Sequence, residues 1–285
     1  MDETTFTHVA PGTPVPARTV NVVGSIAIAA PIVGFLIAWG LGAGIIQTNI
    51  GAGFDASIWY HVDPANPYPI RTYAAGNGAF FYSPAFAQLV SLLHPLPWEA
   101  FRAVWALAMA SCLTWMLGPF TLIAVLIQPI YLELLAGNVN LFIGAAIVGG
   151  FRYPGLWSFV LLTKVAPGIG ILWFAMRREW RKFVIAVAST VAIAGVSLLL
   201  APALWYDWIS LLASNQGAIP ALAAIQVPLI VRLPFALLAL TVGAITNRRY
   251  LVPLAALLAT PVVWNDAMLV PIASVWLRER RHQSQ

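Results

Sequence analysis

The sequence predicts an all-α protein, a polytopic membrane helical bundle of about ten membrane-embedded helices with an outer interfacial loop. Three observations carry this. Of 285 residues, 60% are hydrophobic and only 9% charged, where soluble domains carry about 25% charged residues. Apolar runs of helical length recur along the whole chain, and mean hydropathy is +0.83, so one anchor with a soluble domain is excluded. The runs also lack the polar/apolar dyads of an outer-membrane barrel.

Residues 1–19 are polar and Pro-rich (PGTPVPAR) and are expected to form a disordered cytoplasmic tail. Residues 20–46 are long enough to cross a bilayer with tilt. They exceed a signal-peptide core, no small-residue cleavage site follows, and they are expected to remain as an anchor. Residues 47–83 form the longest polar interruption, with Asp55, His61, Asp63 and Arg71 among Trp, Tyr and Phe side chains suited to an interfacial belt. A short apolar piece, 84–96, ends at an HPLP turn. A helix is expected over 98–117, broken by Gly118-Pro119. The apolar stretch 120–150 is cut by Gly137-Asn138-Val139-Asn140 into two short pieces. Residues 153–176 read as a clean span with Lys164 and Pro167 near its middle. Further spans are expected over 183–204, leading to a loop around Asp207, and over 221–245, with Arg232 inside. The last segment, 251–277, is split by Pro261 and Trp264-Asn265-Asp266. Residues 20–277 thus form one membrane domain, and 278–285 a basic cytoplasmic tail.

Net charge is +5, concentrated at RREWRK (177–182), NRRY (247–250) and RERR (278–281). Basic residues in short loops stay cytoplasmic. All three clusters share that side if the last segment forms two half-crossings, which puts the N-terminus inside and the 47–83 loop outside. The count does not assign the GNVN turn to a side. No nucleic-acid partner is expected beside so many apolar spans. Cys112 is the single cysteine, so neither an intramolecular disulfide nor a thiolate metal site is available.

A charge near the bilayer centre costs at least about 2.5–3.5 kcal/mol on insertion scales. Glu133, Lys164, Arg232 and Asp266 therefore need partners or a ligand. One reading is internal pairing, for example Glu133 with Lys164. The other is a polar cavity for a lipid-linked phosphate, which Lys suits as a compact point charge. Asp55 follows a Gly-Ala-Gly turn and opens DASIWYHV, a short interfacial helix. It reads either as an N-cap or as a general base taking a proton from an acceptor hydroxyl. His61 and Asp63 are weaker candidates, Asp63-Pro64 being a turn starter. No phosphate-binding Gly loop, HExxH or GxSxG motif occurs, and no metal site or cofactor is expected.

The order Asp55, Phe81-Tyr82-Ser83-Pro84, Gly137-Asn138-Val139-Asn140, Lys164-Val165-Ala166-Pro167, Arg177-Arg178-Glu179-Trp180-Arg181 resembles glycosyltransferase family 87. Asn215-Gln216, Arg232 and Thr260-Pro261-Val262-Val263-Trp264-Asn265-Asp266 continue the pattern, so the resemblance covers about 20–277. Four positions depart from it. Ser83 stands for the first Pro of a Y-P-P step, Asn138 for Gln, and Gly217 for Ser. Asn265-Asp266 lies where a late His is usual.

The resemblance implies a GT-C-like membrane fold and an inverting, polyprenyl-phosphate-dependent enzyme, such as a mannosyltransferase building a cell-envelope glycan. Asp55 would be its catalytic base, and Lys164 and Arg232 would grip the donor phosphate. Tyr82, Asn138, Asn140, Asn215, Gln216 and Asp266 would bind substrate. The implied partners are membrane lipid, a polyprenyl-phosphate-linked sugar donor and a glycolipid or glycan acceptor, met on the extracytoplasmic side of the plasma membrane. Two other classes stay open at this level: a transporter or lipid flippase with a charge-lined path, and a non-catalytic family member serving in an assembly. No internal repeat of the kind common in transporters is visible.

Overall fold

A computed structural model describes residues 53–72, 78–215, 225–263 and 267–283. The 1–19 tail, the 20–46 span, Gln216 and Trp264 to Asp266 lie outside the described residues. Among the described residues the regular elements are all helical: α1 Phe54–His61, α2 Pro84–Ser91, α3 Trp98–Leu117, α4 Thr121–Ala124, α5 Gln128–Ala136, α6 Asn140–Gly150, α7 Trp157–Thr163, α8 Leu172–Met176, α9 Trp180–Leu200, α10 Pro202–Ser214, α11 Leu229–Thr246, α12 Leu251–Ala259 and α13 Leu269–Gln283. Short 3₁₀ turns at Gly118–Phe120, Pro154–Leu156 and Ala166–Ile171 join or extend them.

Helix punctuation follows the sequence closely. Proline opens α2, where Ser83 accepts a hydrogen bond from the Phe86 N–H, and prolines also stand at the first turns of α5 and α10. That position tolerates Pro because its missing N–H would have no helical partner. α3 stops at Leu117, before Gly118-Pro119. α5 ends at Gly137 with φ 75°, and the N–H groups of Gly137 and Asn138 both return to the Glu133 carbonyl. This left-handed end turns the chain sharply, and α5 and α6 meet at 110°.

Three segments are long and apolar enough to cross a membrane, residues 98–124, α9 and α11, or four if the bent α5–α6 pair counts as one crossing. The described residues therefore supply fewer full crossings than ten embedded helices would suggest, several segments being half-length. α9 and α11 turn large apolar side chains outward, with Leu199 85% and Ile245 79% exposed. Such surface is stable only against lipid or another protein. The core lies on the other side of them, around α6, which is buried along most of its length and packs against α3, α7 and α13.

Two sequence expectations are corrected. Residues 153–176 are not one clean span: α7 stops at Thr163, Lys164 is extended (φ −132°, ψ 106°), and a 3₁₀ turn leads into α8. Pro167 is the physical reason, because it lacks the N–H that would reach back to Thr163 and its ring would strike that carbonyl. Asp207 is not in a loop but inside α10, which begins two residues after α9 ends and packs on α2.

The α5–α6 turn tolerates little change. A Cβ on Gly137 would stand 2.7 Å from the Ala56 Cβ, in a backbone conformation that L-residues rarely adopt. Gly137→Ala is expected to destabilise the fold by about 1–3 kcal/mol, read as a lower thermal midpoint of the purified protein.

Candidate functional site

The site is built where α1 meets the turn between α5 and α6. α1 is fixed there by backbone and side chain alike. The Gly53 N–H donates to the Leu135 carbonyl at 2.7 Å, and the Trp59 indole donates to the Gly137 carbonyl at 3.1 Å. A second indole, from Trp105 on α3, reaches the same carbonyl at 2.8 Å. Trp59 is buried and packs edge-on against Tyr82 (4.6 Å between ring centroids), Phe86 and Phe80.

Asp55 sits in the first turn of α1, where the helix N-terminus favours a negative group. It is not the N-cap. Gly53 takes that place with φ 81°, and no side chain caps the helix. The carboxylate instead faces the α5–α6 turn, and its Oδ2 accepts from Asn138 Nδ2 at 2.7 Å. Burial in the surrounding protein raises its pKa from 3.8 to about 6, against the lowering effects of the Asn138 hydrogen bond and the Lys164 charge. Residue 55 as a whole is only half-buried, so the carboxylate is largely desolvated while the residue keeps some exposed surface.

The next residues of the turn hold Lys164. Asn140 is buried, and its Oδ1 accepts from Lys164 Nζ at 2.6 Å. Its backbone N–H and Nδ2 donate to the two oxygens of Glu133, at 2.7 and 3.1 Å. This chemistry fixes the amide orientation, since an ammonium only donates and a carboxylate only accepts. Glu133 and Lys164, suggested as a direct pair by the sequence, are thus bridged by Asn140. The break after α7 sets the half-buried Lys164 on extended backbone instead of along a helix. The neighbouring Thr163 hydroxyl is buried and has no hydrogen-bond partner among the described residues, whereas other helical Thr hydroxyls, such as Thr190 and Thr246, bond the carbonyl four residues earlier.

The other expected site residues lie in different settings. The Tyr82 carbonyl accepts from the Tyr68 hydroxyl at 2.9 Å, while its ring belongs to the Trp59 cluster. Burial, reinforced by Asp207, pushes the Tyr68 phenol above its usual range, so it remains a donor. Asn215 ties the segment after α1 to α10, with Nδ2 donating to the Arg71 carbonyl at 2.9 Å, and Arg71 returns a bond to Ser210 Oγ at 3.1 Å. Arg232 is buried, and its guanidinium donates to the carbonyls of Val227, Leu258, Thr260 and Pro261 at 2.7–3.0 Å. Those bonds staple the start of α11 to the end of α12 and do not join Arg232 to the Asp55 cluster. His61 is exposed and contacts the Ser57 carbonyl, and Asp63 closes a turn onto the Ala65 N–H. Among the described residues no group of three or more His, Cys, Asp or Glu is placed to hold a metal ion.

Sequence reasoning missed the two indoles and the part played by Glu133. Trp59 and Gly137 are 78 residues apart, and nothing local announces their contact. Glu133 did carry a signal, as an acid in an apolar stretch seven residues before Asn140.

The raised pKa has a consequence for stability. Between pH 3.8 and about 6 the folded state holds a proton at Asp55 that the unfolded state has released, so this group's contribution to stability falls as pH rises through that window. Asp55→Asn, which keeps an acceptor for Asn138 but no charge, is expected to be more stable than wild type at pH 7, by up to about 3 kcal/mol. The gain should shrink towards pH 4 in thermal melts.

Comparison with known proteins adds one finding. The profile described as Glycosyltransferase family 87 matches residues 80–284, a stretch that includes Asn138, Asn140, Lys164 and Arg232 but begins after Asp55. No curated protein and no solved structure matches the chain. With more than half of its length matched, and with the broken helices and charged turn just described, the chain belongs to glycosyltransferase family 87.

Proposed function

We propose that the protein is an inverting, membrane-embedded glycosyltransferase of GT-C type, which moves a sugar from a polyprenyl-phosphate donor to a glycolipid or glycan acceptor on the extracytoplasmic side of the plasma membrane. Mannose is the sugar that the family resemblance favours. The observation that carries the reading is the sharing of one turn by a carboxylate and an ammonium. Asn138 holds Asp55 and, two residues on, Asn140 holds Lys164.

Asp55 accepts the proton of an acceptor hydroxyl as that oxygen attacks the anomeric carbon. The bond from that carbon to the phosphate oxygen breaks, the electron pair leaves with polyprenyl phosphate, and configuration inverts. A pKa of about 6 suits the base, which stays mostly ionised at pH 7 yet binds a proton better than an ordinary Asp. Lys164 is the group we assign to the departing phosphate, where a fixed positive charge in low dielectric stabilises the charge that develops. Asn138 and Asn140 position these two groups and border the space for the sugars. Tyr82 contributes a ring from the adjoining aromatic cluster. We assign Asn215 and Arg232 to holding the loop and the α11–α12 end in place. Gln216 and Asp266 remain substrate-binding assignments on the family pattern alone.

Membranes containing the protein, supplied with labelled polyprenyl-phosphate-mannose, test the reading. Asp55→Asn is expected to lower transfer by at least about 10² at normal expression, and retained transfer would remove Asp55 from the mechanism. In wild type the rate should fall as pH drops through about 6. Lys164 lowers the Asp55 pKa, so residual activity in Lys164→Met should fall off at higher pH than in wild type. An unchanged or acid-shifted limb would contradict the coupling.

A further inference from the structure

Away from Asp55, a cleft of about 460 Å³ lies between the end of α8 and the last turns of α11, lined by Met176, Arg177, Thr241, Ala244 and Ile245. Its size is within the range of ligand sites, and it shares no lining residue with the cluster around Asp55. Its apolar walls come from helices of the membrane domain, and Ile245 is 79% exposed.

One lining residue, Arg177, is charged. Arg177 donates from Nη1 to the Ala244 carbonyl at 3.0 Å and from Nε to Glu179 at 3.2 Å. Glu179 is also held by Lys182 at 2.7 Å. Burial would raise the Glu179 carboxyl, but Lys182 and Arg177 outweigh it and keep it below its usual range. The acid is therefore already matched by two cations. Arg178 and Arg181 beyond α8, and Arg248 and Arg249 beyond α11, are all exposed. They follow the two helices that border the cleft, which pack against each other. Both close through left-handed residues, Arg178 and Asn247 at φ 57°, with Glu179 N–H on the Phe174 carbonyl and Arg248 N–H on the Gly243 carbonyl.

We propose that this cleft binds an anionic phospholipid of the surrounding bilayer, its phosphodiester on Arg177 and the neighbouring arginines and one acyl chain against Met176, Ala244 and Ile245. Basic pockets between membrane helices take anionic headgroups for this reason. A zwitterionic lipid brings the same chain but no net charge for the rim.

The test is a thermal melt of the purified full chain in neutral detergent, titrated with phosphatidylglycerol or phosphatidylcholine. Wild type is expected to show a saturable upward shift with phosphatidylglycerol only. Arg177→Gln should weaken its apparent affinity about fivefold, and Thr241→Trp, which fills the cleft from an exposed position, should abolish the shift. Ile245→Trp serves as a second filling variant if Thr241→Trp does not fold. Equal responses to the two lipids in wild type, or a wild-type response in a folded cleft-filling variant, would overturn the proposal. Neither outcome depends on sugar transfer, so the inference stands or falls apart from the catalytic reading.

Discussion

The carbonyl of Gly137 is the point on which the arrangement around Asp55 depends. Both of its lone-pair directions are used, by the indoles of Trp59 and Trp105, and its left-handed backbone lets Ala56 pack where a Cβ would otherwise stand. One residue thereby fastens α1 and α3 to the turn between α5 and α6. A helix of only eight residues, such as α1, has little stability of its own. Its position, and so that of Asp55, comes from these contacts.

Within that frame the charges form a short connected series. Glu133 orients Asn140, Asn140 presents its oxygen to Lys164, and Asn138 donates to Asp55. Each ionic group has a polar neighbour, which is what makes burial tolerable. The balance is deliberately incomplete at Asp55, where desolvation outweighs both lowering influences. A carboxylate so placed costs the fold stability at neutral pH and gains basicity, a trade common at functional sites. In the proposed reaction that basicity would serve the acceptor hydroxyl.

Much of this was legible in the sequence. The stop before Gly118-Pro119, the cut at GNVN, the split of the last segment, the short helix containing Asp55 and the turn at Asp63 all follow from local chemistry. Asp55 and Lys164 stand out as charges in the sequence, the family resemblance adds Asn138 and Asn140, and the fold brings the four to one turn. What escaped was mostly long-range. Arg232 shows in the sequence as a cation in an apolar span, without the carbonyls that surround it. Asp207 suggests a loop, yet α10 is helical and faces Arg71 and Tyr68. Pro167 did announce the break at Lys164, but the apolar run around it reads as continuous. The contact of Trp59 and Trp105 with Gly137 has no local signature at all.

The central claim is that burial raises the proton affinity of Asp55 while the turn after α5 restrains the rise. The most direct measurement is titration of the Asp55 carboxyl itself, by isotope-edited infrared difference spectroscopy on the purified protein, compared with Asn138→Ala. The account predicts a midpoint near 6 in wild type and a higher one in the variant, which lacks the hydrogen bond that favours the carboxylate. An ordinary aspartate midpoint near 4, unmoved by Asn138→Ala, would contradict it.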